Sequence, residues 1–149
     1  MFHLRPIGVI KTNASDEEVK SSLEGVDGVV EIYEEYSEGL DGIEHYSHIV
    51  IIAYLHKVPN GKFELKIKPR GPLKRGYRLE DLPLVGVFAT CSPRRPNPIA
   101  VTVVKLVKKQ GRFLYVKGLD LFNGTPVLDI KPYNRSMHID QFKVPIWSK

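Results

Sequence analysis

Short apolar runs separated by polar turns organise this chain, and the period within the runs is mostly two. Phe2 to Ile10 reads as a first strand. Asn13 to Leu23 is polar, and Ser15 followed three residues on by Glu18 fits a capping box, which predicts a short helix. Gly28 to Tyr33 reads as a second strand through Val29, Val30 and Ile32. Glu34 to Tyr46, with glycines at 39 and 42, predicts a turn or a short helix. His48 to Leu55 is almost wholly apolar, the pattern of a strand buried on both faces. Phe63 to Lys68 alternates Phe63, Leu65 and Ile67 against Glu64, Lys66 and Lys68, the pattern of a half-exposed strand.

Further strands are predicted over Val85 to Ala89, Ile99 to Val107 and Phe113 to Gly118, with a hairpin turn at Gln110-Gly111. Leu119 to Phe122 and Val127 to Ile130 flank Asn123-Gly124, a tight-turn signal. Pro69 to Leu84 is a long loop with four basic residues, Arg70, Lys74, Arg75 and Arg78, and Tyr77 among them. The tail from Asn134 to Lys149 is irregular, with Trp147 placed to pack. Many short strands and little helix point to a mainly β chain, an antiparallel barrel or a sandwich.

Composition narrows the class. At 149 residues the chain is expected to form a single domain, 1–149, with a core that needs no staples. Its one cysteine, Cys91, excludes an internal disulfide and suits a reducing compartment, so a cytoplasmic location is expected. Met1 to Ile10 is too short and polar for a signal peptide, and no apolar run has the length of a membrane helix. The formal charge of +5 conceals an asymmetry. Asp16 to Glu44 holds eleven acids and one base, whereas Lys57 to Lys117 holds fifteen bases and three acids. A block that basic suits a polyanion, unless the two segments neutralise each other within a subunit or across a dimer.

Two stretches carry most of the chemical information. Thr90-Cys91-Ser92-Pro93-Arg94-Arg95-Pro96-Asn97-Pro98 separates two β-branched runs. Its three prolines stiffen the loop, so ordering it around a ligand costs less entropy. Arg94 and Arg95 either face water or meet an anion there. In Gly124 to Tyr133, Asp129 and Lys131 alternate with Leu128 and Ile130 and so share one side of a strand. They form an exposed pair or line the mouth of a pocket. No glycine-rich phosphate loop follows a strand, so the common nucleotide-binding α/β reading lacks its fingerprint.

Taken with Gly42-Ile43-Glu44, Tyr46-Ser47-His48, His56-Lys57 and Gly86-Val87-Phe88-Ala89-Thr90, these stretches resemble the TsaA-like family, the TrmO-type tRNA methyltransferases. The matching pieces occur in family order from about Ile7 to Tyr133. The resemblance implies a compact β-barrel, a homodimer, and a short form without the extra C-terminal domain of longer relatives. It implies S-adenosyl-L-methionine as methyl donor and tRNA as partner, the acceptor being N6 of threonylcarbamoyl-adenosine beside the anticodon. Carried over residue by residue, it implies cofactor contacts at His56, Lys57, Cys91, Val101, Leu128, Asp129, Ile130 and Lys131. Cys91 stands where the family usually has an arginine, and the acidic Asn13 to Leu23 segment lacks the family's proline-arginine-glutamine-type patch.

The chemistry makes sense of these positions. The protein must chiefly align donor and acceptor for an in-line displacement. The weakly nucleophilic N6 gains from a group that takes its proton, and Asp129 and His56 are the candidates. Arg94, Arg95 and Asn97 are expected to contact substrate, and Lys74, Arg75 and Tyr77 to track the tRNA. His45-x-x-His48 has metal-pair spacing only on a helix, and no metal site is expected. The alternatives are a methyltransferase of the same fold with a different RNA or small-molecule substrate, and a non-catalytic module that binds S-adenosylmethionine or RNA.

Overall fold

In the computed structural model, which describes residues 1–58 and 61–148, eight strands and one α-helix form. The strands are β1 (Gly8–Lys11), β2 (Val26–Ile32), β3 (His48–Tyr54), β4 (Lys66–Ile67), β5 (Val85–Gly86), β6 (Ile99–Gln110), β7 (Phe113–Leu119) and β8 (Pro126–Pro132). The helix α1 spans Asp16–Ser21. The chain divides into two compact units, Met1–His56 with Ile99–Tyr133, and Lys57–Pro98 with Asn134–Lys149.

The first unit is a closed antiparallel barrel in the order β1-β2-β7-β6-β3-β8. Closure follows from the apolar positions. Ile10, Val30, Ile32, Ile49, Ile51, Val104, Leu114, Val116, Leu119 and Val127 come from all six strands and pack into one core. A flat sheet would leave that face to water, whereas a closed one buries it and also removes the exposed edges. Truncating one such residue to alanine costs about 2–5 kcal/mol. The predicted helix forms as expected: Ser15 Oγ accepts from the Glu18 N–H, and the Glu18 carboxylate accepts from the Ser15 N–H. The hairpin turn between β6 and β7 uses Gly111 at φ 61°, where a side chain would be strained.

Arg112, just past that turn, donates to the Ile32 carbonyl at 3.0 Å and pairs with Glu31 at 3.6 Å. Lys109 lies 3.7 Å from Glu44 and 4.0 Å from Asp41. Part of the charge asymmetry is therefore neutralised inside the barrel unit.

The second unit holds the β4–β5 pair and two short 3₁₀ turns, Gly71–Arg75 and Leu79–Asp81, within the long loop. Ile67, Pro69, Pro72, Leu82 and Val87 are its buried positions among the described residues. Arg75 donates to the Trp147 carbonyl at 2.6 Å and Tyr77 to the Ile146 carbonyl at 3.3 Å, which ties the tail to the basic loop.

Three predicted strands are shorter than their apolar patterns suggested. The first begins only at Gly8: Phe2 and Leu4 face solvent, and Pro6 offers no N–H to a ladder. Over Phe63 to Lys68 only Lys66–Ile67 pairs, because Phe63 and Leu65 find no layer to pack on and stay exposed. Val85 to Ala89 is strand for two residues and then turns as 3₁₀ helix at Val87–Ala89. Thr90 locks that turn, its Oγ donating to the Val87 carbonyl at 2.8 Å. Among the described residues no helix is long and apolar enough to cross a membrane.

Candidate functional site

Strand β3 sets the geometry. Ile49, Ile51 and Ala53 point into the barrel with no exposed surface, so His48, Val50, Ile52 and Tyr54 face outward. Residues opposite one another in a ladder share a face. Val101 of β6 and Asp129 of β8 both lie opposite Ile52. Val103 and Lys131 both lie opposite Val50. The outer face of β6-β3-β8 thus carries a row Val101–Ile52–Asp129 and a second row Val103–Val50–Lys131. With strands about 4.8 Å apart, Val101 and Asp129 are separated by about 10 Å of backbone spacing. Val101 is 69% exposed, an apolar side chain held out to solvent one strand across from the Asp129 position.

A bulge falls at the same place. Ile52 opposes Asp129 but Ala53 opposes Val127, so Leu128 is an extra residue on β8. Bulges bend a strand and re-aim its side chains. β8 also changes neighbours here, because its pairing with β1 is confined to Gly8 with Val127 and Val9 with Pro126. Past Val127, a cleft of about 380 Å³ opens beside the strand. Asp129 and Ile130 line it together with Ile7, Tyr36, Leu40 and Ile43. Asp129 sits where the outer face turns into this cleft.

The Asp129 carboxylate is half exposed and already partnered. Its Oδ1 accepts from the Ile130 N–H at 2.9 Å and its Oδ2 lies 3.5 Å from Lys131 Nζ. Each oxygen keeps a second lone pair for a ligand donor. His56 is exposed, two residues beyond the end of β3. Its Nε2 lies 3.9 Å from where a β-carbon on Gly124 would stand, so the ring sits close against the Asn123-Gly124 turn. His56 is four residues past Ile52, within roughly 13 Å of the Asp129 row along the barrel.

Of the residues expected from the sequence, Val101, Leu128, Asp129, Ile130 and Lys131 are brought together, with His56 further along the same unit. Lys57, Lys74, Arg75, Tyr77, Cys91, Arg94, Arg95 and Asn97 belong to the second unit. There Arg95 Nη1 donates to the Thr90 and Ser92 carbonyls at 2.8 and 3.0 Å, and its guanidinium lies 6.0 Å from the Phe88 ring centre. Arg95 shapes its own loop, whereas the adjacent Arg94 side chain, Asn97 and Cys91 are exposed. Arg75 and Tyr77 hold the tail.

Ile52 at the centre of the row, and Tyr36 in the cleft, were not singled out by sequence reasoning. An unbroken apolar run does not say which residues face outward, and nothing local ties Tyr36 to β8. A larger groove, about 750 Å³, lies at the β6–β7 turn between Glu34, Glu38, Lys109 and Arg112. It contains none of the expected site residues, and its two bases are paired with acids, Lys109 with Asp41 and Glu44 and Arg112 with Glu31.

Comparison with known proteins gives the chain its family. Residues 17–140 match the family model described as tRNA-methyltransferase O N-terminal domain. A Pyrococcus abyssi protein named "Probable S-adenosyl-L-methionine-binding protein" is 40% identical over 137 residues, covering 89% of this chain and 68% of that protein. A mouse (Mus musculus) tRNA (adenine(37)-N6)-methyltransferase is 41% identical over 107 residues, covering 66% of this chain but 23% of the mouse protein. The crystal structure of TrmO from Pseudomonas aeruginosa superimposes with a TM-score of 0.72 at 26% identity, over 98% of this chain and 62% of that one. The chain thus spans about two thirds of the archaeal and bacterial proteins and less than a quarter of the mammalian one.

Proposed function

The chain belongs to the tRNA-methyltransferase O N-terminal domain family, and from that premise we propose that it is an S-adenosylmethionine-dependent methyltransferase acting on N6 of an adenosine in tRNA. The finer reading is that the acceptor is threonylcarbamoyl-adenosine next to the anticodon. The observation that carries the proposal is the row Val101–Ile52–Asp129, set beside the bulge at Leu128 on the outer face of the barrel.

The residues present fit such a donor. Asp129 offers a half-exposed carboxylate to hydroxyl or ammonium donors, and Lys131 beside it suits a carboxylate. The Asp129–Lys131 pair is itself solvent-exposed and weak, so exchanging partners costs little. Exposed Val101 and half-buried Ile52 give an adenine ring an apolar floor. The Ile130 N–H is held by Asp129, and the backbone of the bulged Leu128 is assigned to read the ring edge. When bound, S-adenosylmethionine supplies an activated methyl group on a sulfonium centre.

The protein's own work is then alignment and proton removal. Asp129 is assigned to hold the donor. His56 Nε2, on an exposed residue beside the Gly124 turn, is assigned to take the N6 proton. Arg94, whose side chain is exposed, is assigned to a phosphate or carboxylate of the acceptor. The test is transfer of radiolabelled methyl from S-adenosylmethionine to purified tRNA, followed by nucleoside analysis. Label on N6 of adenosine is expected. A protein that binds S-adenosylmethionine yet labels no tRNA under conditions that sustain a known methyltransferase would overturn it.

A further inference from the structure

The outer face of the barrel carries a second feature, centred on the β6–β7 ladder. Leu106 and Val116 lie opposite each other and point inward, so Lys105 and Lys117, also opposite each other, point outward. Both lysines are exposed. Like charges directly opposite in a ladder destabilise it, and among the described residues neither ammonium has a carboxylate in ion-pair range. Two other bases of this hairpin do have carboxylate partners: Lys109 meets Asp41 and Glu44, and Arg112 meets Glu31. The acidic segment therefore neutralises the turn and leaves this lysine pair alone.

The pair sits in a longer row. His48 lies opposite Lys105 on the other side, and the Tyr133 N–H donates to the His48 carbonyl at 3.1 Å. The His48 and Tyr133 rings meet edge-on, 6.3 Å between centres. Beyond the bulge at Val107, Lys108 lies opposite Tyr115 with its ammonium 4.6 Å from the ring centre. Tyr133, just past the end of β8, lies in line with His48, Lys105 and Lys117 on three adjacent strands, a span of about 14 Å, with Lys108 and Tyr115 alongside.

We propose that this belt is a binding surface for the phosphodiester backbone of RNA. Lys105, Lys117 and Lys108 neutralise phosphates, and Tyr133 and Tyr115 offer rings on which an unpaired base stacks. An anion laid across Lys105 and Lys117 turns their mutual repulsion into joint attraction, which accounts for a pairing that folding alone disfavours. The inference rests on the reading that the chain acts on RNA, and adds to it a contact surface on the barrel wall outside the methyl-donor row.

The test uses the whole chain and fluorescently labelled tRNA, with anisotropy read over a salt series. The Lys105→Ala/Lys117→Ala double variant is expected to bind at least about tenfold more weakly at low salt. Its log-affinity against log-salt slope should fall by about 2, one per lost phosphate contact. Its melting temperature should be unchanged or raised, since the repulsion is gone, and S-adenosylmethionine binding should be unaffected. Lys105→Arg/Lys117→Arg should restore the slope. An unchanged affinity and slope in the folded alanine variant would overturn the belt while leaving the enzyme reading standing. Wild-type protein that binds no tRNA at any salt would sink both. Binding of poly-glutamate in place of tRNA, lost in the same variant, would assign the belt to an acidic protein and overturn the RNA proposal.

Discussion

Replacing Asp129 by asparagine separates charge from shape at the centre of the proposed site. Asparagine keeps an oxygen that can accept from the Ile130 N–H, now 2.9 Å from Oδ1, so the local backbone is retained. What is lost is the negative charge 3.5 Å from Lys131. That pair is half exposed, 50% for Asp129 and 54% for Lys131, and pairs of this kind contribute at most about 1 kcal/mol. For a chain of this size the melting point should move by no more than about 2–4 °C. A charged hydrogen bond to a ligand is a different matter, at about 1.5–3 kcal/mol. Asp129→Asn should therefore weaken S-adenosylmethionine binding by about 10- to 150-fold, measured by titration calorimetry beside a thermal melt. A dissociation constant within about twofold of wild type would refute the assigned role. So would a melting point lowered by more than about 10 °C, which would make Asp129 a structural residue.

Three further outcomes follow from the same geometry. Val101→Glu, on a side chain 69% exposed, should change stability by no more than about 0.5 kcal/mol yet weaken S-adenosylmethionine binding at least about tenfold, as calorimetry of the folded variant will show. Gly25→Ala should cost more than about 2 kcal/mol in a urea titration, because Gly25 sits at φ +82° and an added β-carbon would lie 2.4 Å from the Gly118 carbonyl carbon. Arg95→Ala should speed amide exchange and protease cleavage across residues 90–95, since it removes the donors to the Thr90 and Ser92 carbonyls. Arg94→Ala in parallel should leave exchange and cleavage there unchanged.

The features read correctly from sequence are those decided within a few residues. The capping box at Ser15 and Glu18, the glycine turn at Gln110-Gly111, and the apolar runs of β3, β6 and β7 all specify local backbone, and all appear. The sharing of one face by Asp129 and Lys131 was legible for the same reason, because alternation along a strand is local. Register is not local. That Ile52 stands between Val101 and Asp129, that Leu128 is bulged, and that Lys105 meets Lys117 depend on how strands distant in sequence align. Side-chain destination was hidden as well. Arg94 and Arg95 are adjacent and chemically identical, yet one faces solvent and the other folds back on its own loop. Short apolar runs misled where tertiary packing was absent, as at Phe63 and Leu65.

The most direct test of where the methyl donor sits is a map of backbone amide shifts in isotope-labelled protein as S-adenosylmethionine is added. Shifts should concentrate at Ile52, Val101 and Leu128 to Lys131, spreading toward His56. Shifts that leave those amides unmoved and gather instead around Lys109 to Phe113, in the groove at the β6–β7 turn, would contradict the outer-face site.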